Sequence, residues 1–170
     1  MSIFLITGPP GVGKTTLAQN IAKKRTPTIH IPVDDLREWV ISGIAHPIPD
    51  WNSETDRQFQ IAETAALQLA QTYSDNGFTA VIDHCRDLTT LNKLTANREI
   101  TKILILLPLD FNLAQNAVRQ DKNWDPLTFE PAIKGLHQTF TSEDQTGWIK
   151  LTSHNDIENF LISMFDNQLL

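Results

Sequence analysis

The chain has 170 residues, of which 41% are hydrophobic and 20% charged, and its formal net charge is −6 at pH 7. These values are typical of one globular domain and exclude a fibrous or intrinsically disordered chain. A protein that is acidic as a whole repels polyanions unless its basic residues gather at one place, which disfavours nucleic acid as a partner without excluding it.

The sequence contains a single cysteine, Cys85, and no long apolar run. One cysteine rules out an intramolecular disulfide and a zinc site built on cysteines. The first apolar stretch, residues 3–6, is too short for a signal peptide and has no basic region before it. No stretch approaches the length of a membrane span. We therefore expect a cytoplasmic protein that has no membrane partner.

Short apolar runs alternate with longer segments of helical periodicity, a pattern typical of βαβ units around a mainly parallel sheet. The run 102–107 is apolar after its first residue, which predicts a central strand covered on both faces. We predict one α/β domain over residues 1–170, with a five-stranded sheet and helices on both faces. The predicted strands are 3–7, 28–33, 78–83, 101–107 and 147–151, and the predicted helices are 14–25, 35–43, 54–75, 88–97, 111–121, 129–141 and 155–166.

Two connections lack periodicity. We predict a loop over residues 43–52, GIAHPIPDWN. We also predict a connection near the opening of a functional site over residues 120–129, QDKNWDPLTF. Tryptophans in irregular segments are better placed for substrate contact than those in regular elements. Substrate contact is therefore expected for Trp51 and Trp124, and core packing for Trp39 and Trp148.

Residues 8–16, GPPGVGKTT, satisfy the pattern G-x-x-x-x-G-K-[ST] between a predicted strand and a predicted helix. In this pattern, glycines let backbone N–H groups surround phosphate oxygens, and the helix N-terminus adds its positive dipole end. The lysine adds a charge and the threonine offers a hydroxyl to Mg²⁺. We therefore predict a nucleoside triphosphate site whose cofactor-binding residues are Gly8, Pro9, Pro10, Gly11, Val12, Gly13, Lys14, Thr15 and Thr16.

Three classes of protein share such a loop: GTPases, AAA ring ATPases and small kinases. The Asn-Lys-x-Asp guanine motif of GTPases is absent, since residues 92–95 read Asn-Lys-Leu-Thr. The spelling GPPGVGKTT resembles the loop of AAA ring ATPases, but those proteins place Asp-Glu after the later acidic strand and need a further helical domain. This chain has Asp83-His84 there and is short. Small kinases are therefore favoured.

Residues 29–43, IHIPVDDLREWVISG, resemble the small P-loop kinase group that contains the 5′-kinase domain of polynucleotide kinase, the zeta-toxin kinases and chloramphenicol phosphotransferase. The resemblance implies that Asp34 is the general base for a substrate hydroxyl and that Arg37 contacts the substrate. A carboxylate at this strand end faces the crevice in which α/β sheets bind ligands. Helix capping is the alternative for Asp34, and Asp35 is expected to cap the following helix.

Asp83 ends the predicted strand FTAVID, which is the usual place of a carboxylate that holds Mg²⁺ through water. Its alternative role is a cap or a buried hydrogen-bond acceptor. His84, Cys85 and Arg86 follow in the same loop. We predict that Asp83 and Arg86 lie at the substrate as well.

The resemblance further implies a basic lid, about residues 119–129, in which Arg119 and Lys122 neutralise the transferring phosphoryl group. Arg119 is therefore predicted to be catalytic and to bind the nucleotide. Relatives often have a second arginine where this chain has Asn123, so the predicted lid is thinner than the family pattern. In such kinases a turn like 153–155 often lies beside the adenine ring, but helix capping alone would explain Ser153 or Asn155.

Together these residues predict a three-layer P-loop NTPase fold and a kinase that uses ATP and Mg²⁺. The γ-phosphoryl group passes to a hydroxyl of a small-molecule acceptor, with Lys14, Asp34 and Arg119 as catalytic residues. Thr15 and Asp83 are the predicted metal residues. A polynucleotide 5′-hydroxyl acceptor, suggested by the sequence DDLR at 34–37, stays open, as does an ATP-binding regulatory module without kinase activity.

Overall fold

A parallel sheet forms the centre of the protein. A computed structural model describes residues 2–48, 51–118 and 126–166, the side chains of 126–128 and 165–166 excepted. The strand order is β2-β3-β1-β4-β5, and all four neighbouring pairs are parallel. The strands are β1 Ile3–Thr7, β2 Thr28–Pro32, β3 Thr79–Asp83, β4 Thr101–Ile105 and β5 Ile149–Leu151.

The predicted five-stranded parallel sheet is thus confirmed. The middle strand, however, is β1 rather than the 102–107 run. That run supplies β4, which is interior, with β1 and β5 on its two sides. A continuous apolar run indicates a strand that is covered on both faces, but it does not distinguish the middle strand from its neighbour.

All seven predicted helices are present, with shifted ends. The largest correction concerns α2, which was expected to reach residue 43 and ends at Glu38. Val40 and Ile41 are β-branched and Gly43 has a φ of 80°, so the chain after α2 disfavours helix. The helices are α1 Lys14–Lys24, α2 Val33–Glu38, α3 Ser53–Asp75, α4 Leu88–Thr95, α5 Leu109–Ala117, α6 Pro126–Ser142 and α7 His154–Asp166.

Two apolar clusters fill the spaces between the sheet and its helices. Alternate residues of one strand point to opposite faces, so Ile6 packs with α1 and α7, whereas Leu5 packs with α3 and α4. The same alternation separates Ile103 from Leu104 on β4. The predicted three-layer architecture is confirmed, and because the strands are parallel, the segments that follow β1, β2 and β3 leave the sheet at the same edge.

Capping residues mark both ends of α3. The N-cap is Asn52, one residue before Ser53, and its side chain accepts the N–H groups of Glu54 and Thr55 at 3.0 Å each. Gly77 has a φ of 92°, which is typical of the left-handed residue that ends a helix. Helix α3 has 23 residues and closely matches the predicted range 54–75.

The tryptophan predictions hold in part. Trp148 is buried in the core, as expected. Trp39 is 72% exposed, so its predicted core position is wrong. It lies at the C-cap of the short helix α2, where the chain turns away from the sheet. No helix in the described part of the chain has the length and apolarity to cross a membrane.

Candidate functional site

The loop after β1 has the backbone geometry that phosphate binding needs. Gly8, Gly11 and Gly13 have φ values of 144°, 81° and 92°, and Gly13 is the N-cap of α1. A Cβ on Gly8 would lie 2.1 Å from the carbonyl oxygen of Ile105. Glycine therefore supplies both the backbone freedom and the space that the sequence predicts for this loop.

Side chains bind three consecutive carbonyl groups of the loop. Lys14 Nζ donates to Gly8 O at 3.0 Å and to Pro9 O at 2.9 Å. Asn116 Nδ2, on α5, donates to Pro10 O at 2.8 Å. Sequence reasoning did not find Asn116, because it lies 106 positions from Pro10 and belongs to no local motif.

The two predicted metal residues lie at the same end of the sheet. Thr15 is exposed in the first turn of α1. Asp83 is paired in register with Ile6, so its side chain shares the face on which Ile6 packs against α1. A hydroxyl oxygen and a carboxylate oxygen suit Mg²⁺, which usually takes few protein ligands beside water and phosphate oxygens. These residues therefore fit the ion.

Asp83 has a partner that the sequence did not reveal. His30 on β2 lies on the same face, and its Nε2 is 2.7 Å from Asp83 Oδ2. Asp83 is buried, so the alternative role of a buried hydrogen-bond acceptor also describes it. One carboxylate oxygen is thus occupied by His30. Within the described residues, no group of three or more His, Cys, Asp and Glu side chains could hold a metal ion.

Asp34 stands in the first turn of α2, and 48% of its side chain is exposed. The N-cap of α2 is Pro32 and no side chain caps the helix, so the capping expected of Asp35 and the capping alternative for Asp34 are both wrong. Both aspartates lie after the first residue of the helix, so neither occupies the N-cap position. At their positions they face the positive end of the helix dipole. Asp34 therefore makes no capping hydrogen bond at the helix end.

The pKa of Cys85 is influenced by both Lys14 of the phosphate loop and Asp34. The thiol is half-buried in the loop after β3. Burial raises the pKa of Cys85, the charge of Lys14 lowers it, and the charge of Asp34 raises it. Both charges therefore act on the loop that follows β3, at the edge of the sheet where the parallel strands end.

Arg37 is held by the fold. Only 6% of its side chain is exposed, its Nη2 donates to Ala45 O at 2.6 Å, and its guanidinium lies 3.9 Å from the ring centroid of Phe59. Burial lowers the pKa of Arg37, while the carboxylates of Asp34 and Glu38 raise it. The Asp34 Oδ1 to Arg37 Nη1 distance is 4.0 Å. Arg37 thus fixes the loop after α2, beside the predicted general base.

Arg86 also contacts carboxylate partners within the fold. Its Nη2 is 2.7 Å from Asp56 Oδ1, and its Nε is 3.0 Å from Glu63 Oε1. Glu63 is buried and also contacts His84 Nε2 at 2.9 Å. The Arg86 guanidinium lies 4.9 Å from the centroid of Trp51. The predicted substrate residue is therefore tied to helix α3 by its two carboxylate partners.

The remaining predicted residues either cap a helix or lie outside the described part of the chain. Ser153 caps α7: its Oγ accepts from Asp156 N at 3.1 Å, and Asp156 Oδ2 accepts from Ser153 N at 2.9 Å. This reciprocal pair confirms the capping role that the sequence allowed. The predicted lid residues Arg119, Lys122, Asn123 and Trp124 lie outside the described residues.

Comparison with known proteins agrees with this geometry. A family model described as an AAA domain, AAA_33, matches residues 3–126. No curated protein matches the chain.

Solved structures match over nearly the whole chain. A sugar kinase from Janibacter sp. HTCC2649 has 15% identity and a TM-score of 0.68, with 96% of this chain and 94% of that chain covered. A shikimate kinase from Bacteroides thetaiotaomicron has 15% identity and a TM-score of 0.65, with 99% of both chains covered. A gluconokinase from Sinorhizobium meliloti 1021 has 13% identity and a TM-score of 0.65, with 99% and 95% covered.

At these identities the structural likeness shows the fold, and it confirms the resemblance to small P-loop kinases. The family match covers more than half of the chain, including the phosphate loop, Asp34 and Asp83. The chain is therefore a member of the AAA_33 family of AAA domains, built on the fold of the small P-loop kinases.

Proposed function

We propose that the chain is an ATP-dependent kinase that transfers the γ-phosphoryl group to a hydroxyl of a small-molecule acceptor. The observation that carries this proposal is the common edge of the parallel sheet at which both groups stand: the phosphate loop follows β1 and leads into α1 at Lys14, and Asp34 is in the first turn of α2, directly after β2. This arrangement supports a carboxylate on the same crevice as the cation of the phosphate loop. A kinase needs this juxtaposition, because the attacking hydroxyl must lose its proton next to the terminal phosphate.

Each residue has a defined task in such a transfer. Loop N–H groups and Lys14 hold the phosphates. Asp34 accepts the hydroxyl proton while the acceptor oxygen bonds to the γ-phosphorus and the bond to ADP breaks in line. Arg119, proposed from the resemblance, neutralises the charge on the transferring group. Thr15 and Asp83 would hold Mg²⁺, which when bound supplies further charge neutralisation.

The proposed acceptor lies between the loop at 43–52, helix α3 and the segment at 119–129. Three arginines on the described acceptor side already have partners, since Arg37 binds Ala45 O, Arg57 binds Glu54 and Arg86 binds Asp56 and Glu63. A polynucleotide needs cations that can contact its phosphates. Arginines that already have carboxylate or carbonyl partners, in a chain of net charge −6, therefore support a small acceptor. The structural neighbours named above as a sugar kinase, a shikimate kinase and a gluconokinase agree with this choice.

The test is an acceptor panel assayed with ATP and Mg²⁺. Sugars, polyols, hydroxy acids, amino alcohols and oligonucleotides with a 5′-hydroxyl would be compared by ADP release, and phosphorylated products would be identified by mass spectrometry. We expect turnover with a small hydroxyl compound. Faster turnover of the oligonucleotides would favour the polynucleotide alternative. Binding of ATP without turnover of any acceptor would favour the regulatory module.

Lys14→Ala should weaken ADP binding by about 10- to 100-fold, because charge-assisted hydrogen bonds to phosphate contribute about 1.5–3 kcal/mol. Isothermal titration calorimetry measures the change. Lys23→Ala is the matched control, since Lys23 is an exposed lysine in the last turn of the same helix. Equal affinities for wild type and Lys14→Ala would contradict the assignment of the loop.

A further inference from the structure

The phosphate loop depends on how its carbonyl groups are held. When successive N–H groups point inward to an anion, the carbonyl groups between them point outward and need donors of their own. The carbonyls of Gly8 and Pro9 are bound by Lys14. The Pro10 carbonyl is bound by Asn116, which belongs to a different element, helix α5.

Lys14 and Asn116, the two side chains that anchor the loop, are expected to respond differently when a phosphate binds. Lys14 is the cation that a phosphate attracts, so its bonds to Gly8 O and Pro9 O compete with the ligand. The bond from Asn116 to Pro10 O involves no group that the ligand needs. Asn116 therefore anchors the loop both before and after Lys14 turns to a phosphate.

The placement of the Asn116 amide is specific. Its Nδ2 also donates to Asn112 O, one turn earlier on α5, at 2.8 Å. Because both partners are carbonyl oxygens, the nitrogen must face them and Oδ1 must face away. Within the described residues, Oδ1 is buried and has no hydrogen-bond partner. Both amide protons are thus used, and one of them holds the loop.

The loop is shaped to receive this amide. A Cβ on Gly11 would lie 2.3 Å from Asn116 Nδ2 and 3.0 Å from its Oδ1. A side chain at position 11 would therefore displace the Asn116 amide, and the φ of 81° separately favours glycine there. The close approach of helix α5 to the loop at two successive residues, Pro10 and Gly11, indicates a built contact.

We propose that Asn116 is a positioning residue of the phosphate loop, which holds the Pro10 carbonyl outward and so keeps the loop formed for phosphate. This inference rests on the proposed function only in that the loop binds phosphate. A loop that is formed in advance loses less conformational freedom when the ligand binds. Loss of the Asn116 bond should therefore appear as weaker phosphate binding.

The test is calorimetric titration of the full chain with inorganic tripolyphosphate and, separately, with ADP. Asn116→Ala should weaken binding of both by about 3- to 10-fold, the effect of one neutral hydrogen bond. Asn116→Asp keeps the shape but turns a carboxylate toward Pro10 O and adds negative charge near the phosphate. It should weaken binding by about 10-fold or more.

Asn112→Ala is the matched control. Asn112 is a fully buried asparagine one turn away, and its side-chain amide has no hydrogen-bond partner among the described residues. Melting temperatures would be measured for each variant, so that affinity is compared well below unfolding. A purely structural role predicts lower melting temperatures for Asn116→Ala and Asn116→Asp with affinities equal to that of Asn112→Ala. That outcome would overturn the inference alone, whereas a wild-type chain that binds neither probe would overturn the proposed function with it.

Discussion

Asp34→Asn is expected to lower the rate of phosphoryl transfer by about 10²- to 10⁴-fold while ADP binding survives. The amide has nearly the same shape as the carboxylate but does not accept the hydroxyl proton. The effect should fall mainly on catalysis, because no side chain caps α2, about half of the Asp34 side chain is exposed, and its ion pair with Arg37 spans 4.0 Å. Turnover of the acceptor identified in the panel measures the rate, and calorimetry measures ADP affinity.

The neighbouring aspartate provides the control for this experiment. Asp35 occupies the same first turn of α2 and contributes the same charge to the helix start, but it is exposed and is expected to point away from the crevice. Asp35→Asn should therefore keep nearly all of the turnover. Equal losses in the two variants would indicate an effect on the helix and not on proton transfer. Undiminished turnover in Asp34→Asn would remove Asp34 from the mechanism.

The parts of the fold that the sequence predicts are those that depend on neighbours in the chain. The loop at 8–16 and the strand before it form a continuous local pattern, and the structure places both as expected. The end of α2 depends on a balance between weak propensities and tertiary contacts. Arg37 reaches Ala45 O, so the chain must turn back soon after Glu38. Local periodicity does not report such a contact, and Trp39 was misplaced for that reason.

The candidate site likewise contains residues that a local motif predicts and residues that only tertiary contacts reveal. Lys14 and Thr15 follow from one motif, whereas His30 and Asn116 do not. His30 meets Asp83 across 53 positions, and Asn116 meets Pro10 across 106. A histidine in a strand and an asparagine in a helix carry no local signal for such partners. The engagement of Arg37 and Arg86 also depends on tertiary contacts. The sequence predicts both as substrate residues but does not reveal the partners that hold them.

Gly8 connects the fold to the site, because it joins the middle strand of the sheet to the phosphate loop. Its φ of 144° is rare for residues with a side chain, and a Cβ would lie 2.1 Å from Ile105 O, a backbone atom of the neighbouring strand β4. Relief of that contact requires a shift of the loop or of β4. Gly8→Ala should therefore lower the free energy of unfolding by about 3–5 kcal/mol, the sum of backbone strain and overpacking. Any folded fraction should bind ADP weakly, since the loop has moved.

Substitutions of two other glycines separate the effect of backbone strain from that of the close contact. Gly13 has a φ of 92° but open space around its Cβ position, so Gly13→Ala should cost only the backbone strain, about 1–2 kcal/mol. Gly135 lies in helix α6 with open space, and Gly135→Ala should stabilise the protein by about 0.5–1 kcal/mol. Urea denaturation measures all three. A cost for Gly8→Ala no larger than that for Gly13→Ala would mean that the loop or β4 shifts easily to relieve the contact between the added Cβ and Ile105 O. The larger cost is expected because Ile105 O is a backbone atom of β4, which cannot move aside as the end of a flexible side chain can.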